Sequence, residues 1–180
     1  MRIVGIVFLV SLAVPFLAAQ LTREDWSRAD ETVVRLKPDA FPNLPDHVRV
    51  ALAQRGCTIP QPYPAGAEKK NVLSGHFVSS GTADWAVLCS HRRRSSILIF
   101  RGHSARVDSI GDEPDSQYLQ VVDEGRKIGY SRLLTVATAK QVRKHFAHAN
   151  HDAILDSFTG KASLLWYSSG GKWMKVPAGD

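Results

Sequence analysis

Short apolar runs separated by turn-forming residues fill the chain from Val72 onward, and this pattern restricts the fold more than any other feature. Such runs, bounded by Gly, Asn, Asp and Ser, are typical of strands. The runs are Val72 to Phe77, Asp84 to Cys89, Ile97 to Arg101, Tyr118 to Val122, Ile128 to Thr135, Leu164 to Ser168 and Trp173 to Val176. Two connections, residues 90–96 and 168–172, are short enough for hairpins, which favours a mainly antiparallel sheet.

Helical patterns precede these runs. Thr22 is followed by acidic residues and then by apolar residues at spacings of three and four, which predicts a helix over residues 22–37. The turn-rich residues 38–46 lead into a second predicted helix, which ends near Arg55 because Gly56 suits a C-cap position.

A third helix is predicted to begin after Thr138, with Ala139, Val142 and Phe146 as its apolar stripe. Helices and strands therefore do not alternate regularly along the chain. The expected fold class is α+β, with a mainly antiparallel sheet, two N-terminal helices and one helix before the C-terminal strands.

The first 19 residues combine a basic residue, Arg2, with an apolar run and a small-residue end, which is typical of a secretory signal peptide. Cleavage is expected after Ala19, although Leu17 is large for its position, so an uncleaved anchor is the alternative. The mature residues 20–180 are expected to form one α+β domain, helical over 22–56 and sheet-rich over 70–180. We expect a secreted or periplasmic protein without stable membrane insertion after cleavage.

Cys57 and Cys89 are the two cysteines of the chain. Because export places them in an oxidising compartment, we expect one disulfide between them, and two buried free thiols are the alternative. On the loop-entropy argument such a bridge contributes roughly 3–4 kcal/mol to stability.

The charge of the chain is modestly basic, with 23 Lys and Arg, or 22 without Arg2, against 17 Asp and Glu. A mature excess of about +5 permits weak association with anionic surfaces such as cell-wall polymers. It does not predict nucleic-acid binding, which usually needs basic and aromatic residues gathered on one face. The densest basic cluster, residues 91–94, is predicted to be a solvated hairpin tip, with a binding patch as the alternative.

Residues 75–89, Gly-His-Phe-Val-Ser-Ser-Gly-Thr-Ala-Asp-Trp-Ala-Val-Leu-Cys, align without a gap to a known pattern. They resemble the calcium-loop hairpin of FG-GAP/VCBS-type repeats, in which Gly-Asp-Phe-Asn-Gly-Asp-Gly precedes a strand. The resemblance implies oxygen ligands at positions that are here His76, Val78, Ser80 and Asp84. Since most of these lack a carboxylate, we expect a structural turn in which Asp84 caps backbone amides.

The whole mature chain also resembles a group of small exported bacterial proteins of unknown function. The resemblance lies in residues 41–45, 55–61, 84–89 and 161–163. It implies no activity, and we predict no cofactor.

Histidines and carboxylates gather between residues 145 and 156, and such groups can hold a transition metal. The candidate ligands are His145, His148, His151, Asp152 and Asp156. The zinc-protease spacing is absent, because Phe146 and Ala147 stand where that pattern needs other residues. A helix end with solvated histidines is the preferred interpretation.

Catalysis is the weaker of two functional hypotheses. The sequence contains no Gly-x-Ser-x-Gly motif and no phosphate-binding glycine motif. The remaining enzymatic alternative is a small secreted hydrolase that uses His76 and Asp84, which a short turn could bring together.

Three aromatic residues near the C-terminus are binding candidates: Trp166, Tyr167 and Trp173. Strand alternation sends Trp166 and Tyr167 to opposite faces, so one of them is expected to face outward. The leading hypothesis is thus a non-catalytic exported domain that binds an unknown protein or an envelope glycan, or that supports another envelope component.

Overall fold

The computed structural model describes residues 21–102 and 104–179, so the predicted signal peptide lies outside the described residues. The helices are α1 (Arg23–Thr32), α2 (Asp46–Gln54) and α3 (Ala139–Val142), with 3₁₀ turns at Pro38–Ala40 and Asp115–Tyr118. The strands are β1 (Arg35–Leu36), β2 (Ile59–Pro60), β3 (Val72–Gly75), β4 (Asp84–His91), β5 (Arg94–Phe100), β6 (Val107–Pro114), β7 (Leu119–Val122), β8 (Lys127–Tyr130), β9 (Arg132–Ala137), β10 (Ala153–Phe158), β11 (Ala162–Ser169) and β12 (Lys172–Pro177).

Two four-stranded meanders dominate the architecture. Sheet 1 has the order β3-β4-β5-β6 and sheet 2 the order β12-β11-β10-β9, while β7 pairs with β8 and β1 with β2. Every one of these pairings is antiparallel, which confirms the prediction of mainly antiparallel sheets in an α+β protein.

Four strands escaped the sequence analysis: the two-residue strands β1 and β2, and the longer strands β6 and β10, which polar residues interrupt. β6 carries Asp108 and Asp112, and β10 carries Asp156. One predicted run, residues 128–135, is divided into β8 and β9 at Ser131. Hydrophobic alternation marks strands only where the facing surface is apolar, and β6 and β10 face charged partners.

The central core lies between the two sheets. Apolar side chains of sheet 1 meet those of sheet 2 there, and the buried members of this cluster are Phe77, Ala86, Leu88, Ile97, Ile99, Leu119, Tyr130, Leu134, Ile154 and Trp166. The two sheets therefore share one continuous set of buried contacts, since residues of both are in the same cluster.

The outer faces of both sheets are also covered. Val87, Cys89, Leu98 and Phe100 of sheet 1 pack against the N-terminal layer that contains α2. On sheet 2, Leu165 and Tyr167 pack against α3 and the turn that follows it, in a cluster with Val142 and Phe146. Strand alternation therefore sends apolar side chains to both faces of each sheet.

The first helix is shorter than predicted. A capping box between Thr22 and Asp25 begins α1, as the sequence indicates, but α1 ends at Thr32 rather than near residue 37. Arg35–Leu36 instead pairs with Ile59–Pro60 as a short two-stranded ladder. Inter-strand hydrogen bonds there replace those of the expected last helical turn, which spacing alone does not predict.

The third helix is also short, because α3 stops at Val142 and single turns continue the segment to Ala149. None of the helices in the described chain has the length and apolar character needed to cross a bilayer.

The disulfide between Cys57 and Cys89 is present, which confirms the predicted pairing. It joins Cys57, which follows the C-terminal turn of α2, to the last part of β4, with the two Cα atoms 5.1 Å apart. Beside it, Thr58 and Ser90 exchange two backbone hydrogen bonds of 2.9 and 2.8 Å. The N-terminal layer is therefore fastened to sheet 1 covalently and by a backbone bridge.

Candidate functional site

Asp84, the last position of the calcium-loop resemblance, is buried and acts as a hub for backbone amides. Its carboxylate accepts hydrogen bonds from the amides of Phe77 (3.0 Å), Val78 (2.9 Å) and Gly102 (3.0 Å). This confirms the predicted role of Asp84 as a cap for backbone amides. Because both oxygens are engaged, Asp84 is built into the loop rather than displayed to solvent.

The glycines of this hairpin have different roles. A Cβ at Gly75 would lie 2.8 Å from the ring of Phe77, so glycine is required for the ring to pack there. Gly81 has open space around it and a φ outside the left-handed region, so the structure gives no steric reason for glycine at the turn.

His76 lies at the other end of the β3–β4 loop from Asp84, and its side chain is not hydrogen-bonded to the Asp84 carboxylate. Its Nδ1 is 3.0 Å from the carbonyl oxygen of Thr82, and its backbone amide donates to Asp152 at 3.2 Å. Among the hydrogen bonds of the described residues, none links the imidazole of His76 to the Asp84 carboxylate. The geometry thus lends no support to a hydrolase that uses these two residues, since a histidine base needs a group to orient it.

Asp152 has the same place in sheet 2 that Asp84 has in sheet 1. It stands at the start of the second strand of its meander and accepts hydrogen bonds from the amides of Ala139 (3.3 Å) and His76 (3.2 Å). Its own amide donates to the carbonyl of His76 at 2.8 Å, so the β3–β4 and β9–β10 loops are joined. The sequence feature that could have predicted this role of Asp152 is that it precedes an apolar run, as Asp84 does.

The candidate metal ligands are dispersed. His145 and His148 are exposed on the turns after α3, whereas His151 is buried with its ring nitrogens 2.9 and 3.0 Å from the carbonyls of Asp152 and Ser168. Asp156 pairs with Arg132 at 2.8 Å. Within residues 21–102 and 104–179, no three His, Cys, Asp or Glu side chains gather in a way that could hold a metal ion.

The prediction that Trp166 or Tyr167 faces outward is wrong. Trp166 is buried between the sheets, and Tyr167 is buried on the outer face of sheet 2, where it stacks on His151 at 4.4 Å and Phe146 at 5.0 Å. Trp173 is partly buried and donates its indole N–H to Asp108 at 3.0 Å. The two side chains do point to opposite faces of sheet 2, as predicted, but both faces of this sheet are covered by other side chains.

An ion pair buried between the sheets was missed. Arg132 is fully buried, donates two hydrogen bonds to Asp156 (2.9 and 2.8 Å) and two more to the carbonyls of Ser95 and Gly111. A Cβ at Gly111, where φ is +65°, would lie 2.9 Å from the guanidinium, so the close approach requires glycine. The sequence feature that could have predicted this ion pair is the position of Arg132 inside an apolar run.

The buried pair changes the titration of its neighbours. Burial alone would lower the pKa of Arg132, but the hydrogen bonds and charge of Asp156 outweigh burial and raise it. Burial raises the pKa of Tyr118 to about 12, and the guanidinium of Arg132 lies 4.4 Å from the Tyr118 ring centroid and opposes that rise. These contacts make the cluster a structural link between the sheets rather than an open reactive centre.

The basic cluster of residues 91–94 forms the tip of the β4–β5 hairpin. Arg92 and Arg93 have φ of 51° and 60°, as a tight hairpin turn requires. Arg93 lies 3.5 Å from Asp30 and 3.5 Å from Glu31 of the first helix, so part of the cluster fastens this tip to α1.

An open groove of about 470 Å³ lies between α1 and β8. We call it the α1–β8 groove. Its apolar lining comes from Leu21, Ala29, Val33, Val34, Ala65 and Ile128. Its charged lining consists of the cations Arg28, Arg126 and Lys127 and one acid, Asp25, which belongs to the capping box of α1. Tyr63 forms part of its wall and is 39% exposed.

Gly129 sets the position of that wall. A Cβ on Gly129 would lie 2.7 Å from the Cβ of Tyr63, so glycine is needed for the proline-rich segment to approach β8. The amide of Tyr63 donates to the carbonyl of Tyr130 at 2.7 Å, which fixes this approach. The groove was not predicted from the sequence, because it forms where α1, the proline-rich segment and β8 meet, and these are distant in sequence.

Comparison with protein-family models, with curated proteins and with solved structures finds no match to this chain. The functional argument therefore depends on the geometry of the described residues.

Proposed function

We propose that the protein is an exported, non-catalytic domain of the cell envelope that binds a segment of a partner protein in the α1–β8 groove. The observation that carries this proposal is the lining of the groove, which combines an apolar floor with three exposed cations. A concave apolar surface with a few polar groups is the usual form of a ligand site.

The cations of the groove are available to a partner. Arg28 lies 3.9 Å from Asp25, Arg126 lies 3.7 Å from Asp123, and these groups are all substantially exposed to solvent. Exposed pairs of this kind contribute only about 0–1 kcal/mol, so a carboxylate of a partner can replace them at little cost. A segment that carries apolar and acidic side chains suits both parts of the groove.

An envelope glycan fits this groove less well. Sugars are usually held by exposed aromatic faces, and within the described groove Tyr63 is the aromatic residue that exposes much of its ring. The ammonium of Lys127 already lies 5.8 Å from the centroid of that ring. The aliphatic floor therefore favours a protein segment.

Export is supported by the apolar N-terminal sequence and by the Cys57–Cys89 disulfide, because such bridges persist mainly in oxidising compartments. Cell fractionation with thiol alkylation before lysis tests it. We expect unalkylated, oxidised protein in the envelope or external fraction. Two alkylated thiols in a cytoplasmic fraction would contradict export.

Site-specific photo-crosslinking in the producing cell tests the groove. A photoreactive residue in place of Tyr63 is expected to give one discrete protein adduct, which Arg28→Glu with Lys127→Glu abolishes. The matched control is the same residue in place of Val121, which is 45% exposed and lies outside the groove. Equal adducts from both positions, or none from Tyr63, would rule out the groove as the site.

A further inference from the structure

The segment from Ala139 to Ala149 covers the outer face of sheet 2 and presents cations to solvent. Its apolar residues Val142 and Phe146 pack inward against the sheet. Lys140, Arg143 and Lys144 are exposed, and their spacings of three and four place them on one side of the turns of α3.

Strand β12 adds to the same surface. Val176 packs in the cluster that includes Val142, and strand alternation places Lys172 and Met174 on that face with it. Lys172 is exposed, and Met174 is 38% exposed. We define the basic face as Lys140, Arg143, Lys144 and Lys172.

Among the described residues of this region, no acidic side chain balances the basic face. Residues 133–179 contain two acids, Asp152 and Asp156. Asp152 accepts hydrogen bonds from backbone amides, and Asp156 is buried against Arg132. Among the described residues, no ion pair involves a member of the basic face, whereas many cations of the preceding region are paired.

The cations of the basic face also crowd one another. Lys140, Arg143 and Lys144 lie within five consecutive residues, and the single turn of α3 contains no acid. Like charges this close together repel, and a surface of opposite charge relieves that repulsion.

We propose that the basic face docks on the anionic lipid headgroups of a membrane surface. None of these four residues lines the α1–β8 groove or the neighbouring cavity along residues 61–70, and exposed cations spread over one face fit an extended anionic surface better than a small anion. The exposed Met174 adds an apolar contact of the kind that enters the headgroup region. This surface is independent of the α1–β8 groove, because the two share no residue.

Each lysine or arginine near an anionic membrane strengthens binding about fivefold, and the attraction weakens as salt increases. Removal of three cations is therefore expected to weaken binding by about a hundredfold. The guanidinium of Arg143 donates a hydrogen bond to the carbonyl of Ala149 at 3.1 Å, so the variant is expected to lose a little thermal stability and to remain folded.

The test is co-sedimentation of the purified protein with vesicles of phosphatidylcholine, with and without one-third phosphatidylglycerol. The variant is Lys140→Glu, Arg143→Glu and Lys144→Glu. The control, with the same charge change, is Arg23→Glu, Lys37→Glu and Arg92→Glu, all exposed and without an ion pair to a described residue.

We expect the unmodified protein and the control to bind the anionic vesicles in low salt and not to bind neutral ones. The α3 variant is expected to lose binding while circular dichroism shows that it is folded at the assay temperature. Failure of the unmodified protein to bind anionic vesicles would overturn the proposal. Equal loss in the variant and the control, or equal binding to neutral vesicles, would also overturn it.

Discussion

In sheet 1 and in sheet 2, an aspartate at the start of the second strand of the meander accepts hydrogen bonds from backbone amides of the nearby loops. Asp84 holds three amides of the loops of sheet 1, whereas Asp152 holds one amide of its own loop and one of sheet 1. The same residue type thus closes a loop in one sheet and joins two loops in the other.

The surroundings of the two sheets differ more. Sheet 1 is fastened to the N-terminal layer by the Cys57–Cys89 disulfide and by buried Asp115, which accepts hydrogen bonds from Arg35 and Ser90. The outer cover of sheet 2 is held by apolar packing, and its cations are exposed without an acidic partner among the described residues. The N-terminal layer over sheet 1 is therefore fastened by a covalent bond and buried polar contacts, whereas the cover of sheet 2 has exposed cations.

The largest expected effect concerns the buried ion pair of sheet 2, whose arginine also donates to two carbonyls of sheet 1. Asp156→Ala leaves the buried Arg132 without its counter-charge, which is expected to lower the free energy of unfolding by about 3–5 kcal/mol. Chemical denaturation measures this loss. The double variant Arg132→Met with Asp156→Leu leaves no buried charge and should recover most of it. A loss in the double variant as large as in the single one would show that the charge itself is not the cause.

Loss of the disulfide is expected to have the next largest effect. Cys57→Ala with Cys89→Ala releases a loop with a sequence separation of 32 residues and should cost about 3–4 kcal/mol. Comparison of the oxidised and reduced unmodified protein is the matched control, because it leaves the side chains unchanged. Equal denaturation midpoints for the two redox states would contradict the prediction.

The two aspartates allow a direct comparison between the sheets. Asp84→Ala leaves three backbone amides without their acceptor and is expected to cost about 3 kcal/mol, while Asp152→Ala should cost about 1–2 kcal/mol. Asp84→Asn keeps one acceptor oxygen and should fall between Asp84→Ala and the unmodified protein. Equal losses of unfolding free energy in Asp84→Ala and Asp152→Ala would contradict the expected difference between the two aspartates.

The smallest expected effect is the pH dependence of the contact between strands β6 and β12. Burial alone would raise the pKa of Asp108, but hydrogen bonds from Trp173, Arg101 and Arg106 together outweigh burial and lower it. A carboxylate whose pKa is lowered by folding stabilises the fold above its ordinary pKa of 3.8, and this contribution disappears as pH falls through the folded value.

Asp108→Asn should therefore be less stable than the unmodified protein at neutral pH, by about 1 kcal/mol or less, and equally stable in strong acid. Denaturation curves over this pH range measure the difference. A difference that does not change with pH would contradict the titration of Asp108. Trp173→Phe, which removes one donor to Asp108, should show the same trend with a smaller amplitude.

Features of the sequence that neighbouring residues determine were predicted correctly, such as the N-terminal cap at Thr22 and the amide-capping role of Asp84. The disulfide is not local, and it was predictable because the chain has two cysteines. Strands β6 and β10 were missed because their acids interrupt the apolar pattern, and those acids have partners far away in sequence. The resemblance to FG-GAP/VCBS repeats and the predicted export remain predictions.

The sequence by itself determined the elements whose stability is local, because caps, turns and apolar periodicity act within a few residues. The tertiary structure decided which face of each element is covered. It buried Trp166 and Tyr167 on opposite sides of one sheet and placed Arg132 against Asp156. It also formed the α1–β8 groove and left the basic face exposed. These outcomes depend on packing between residues that are distant in the chain, and periodicity within one segment does not contain that information.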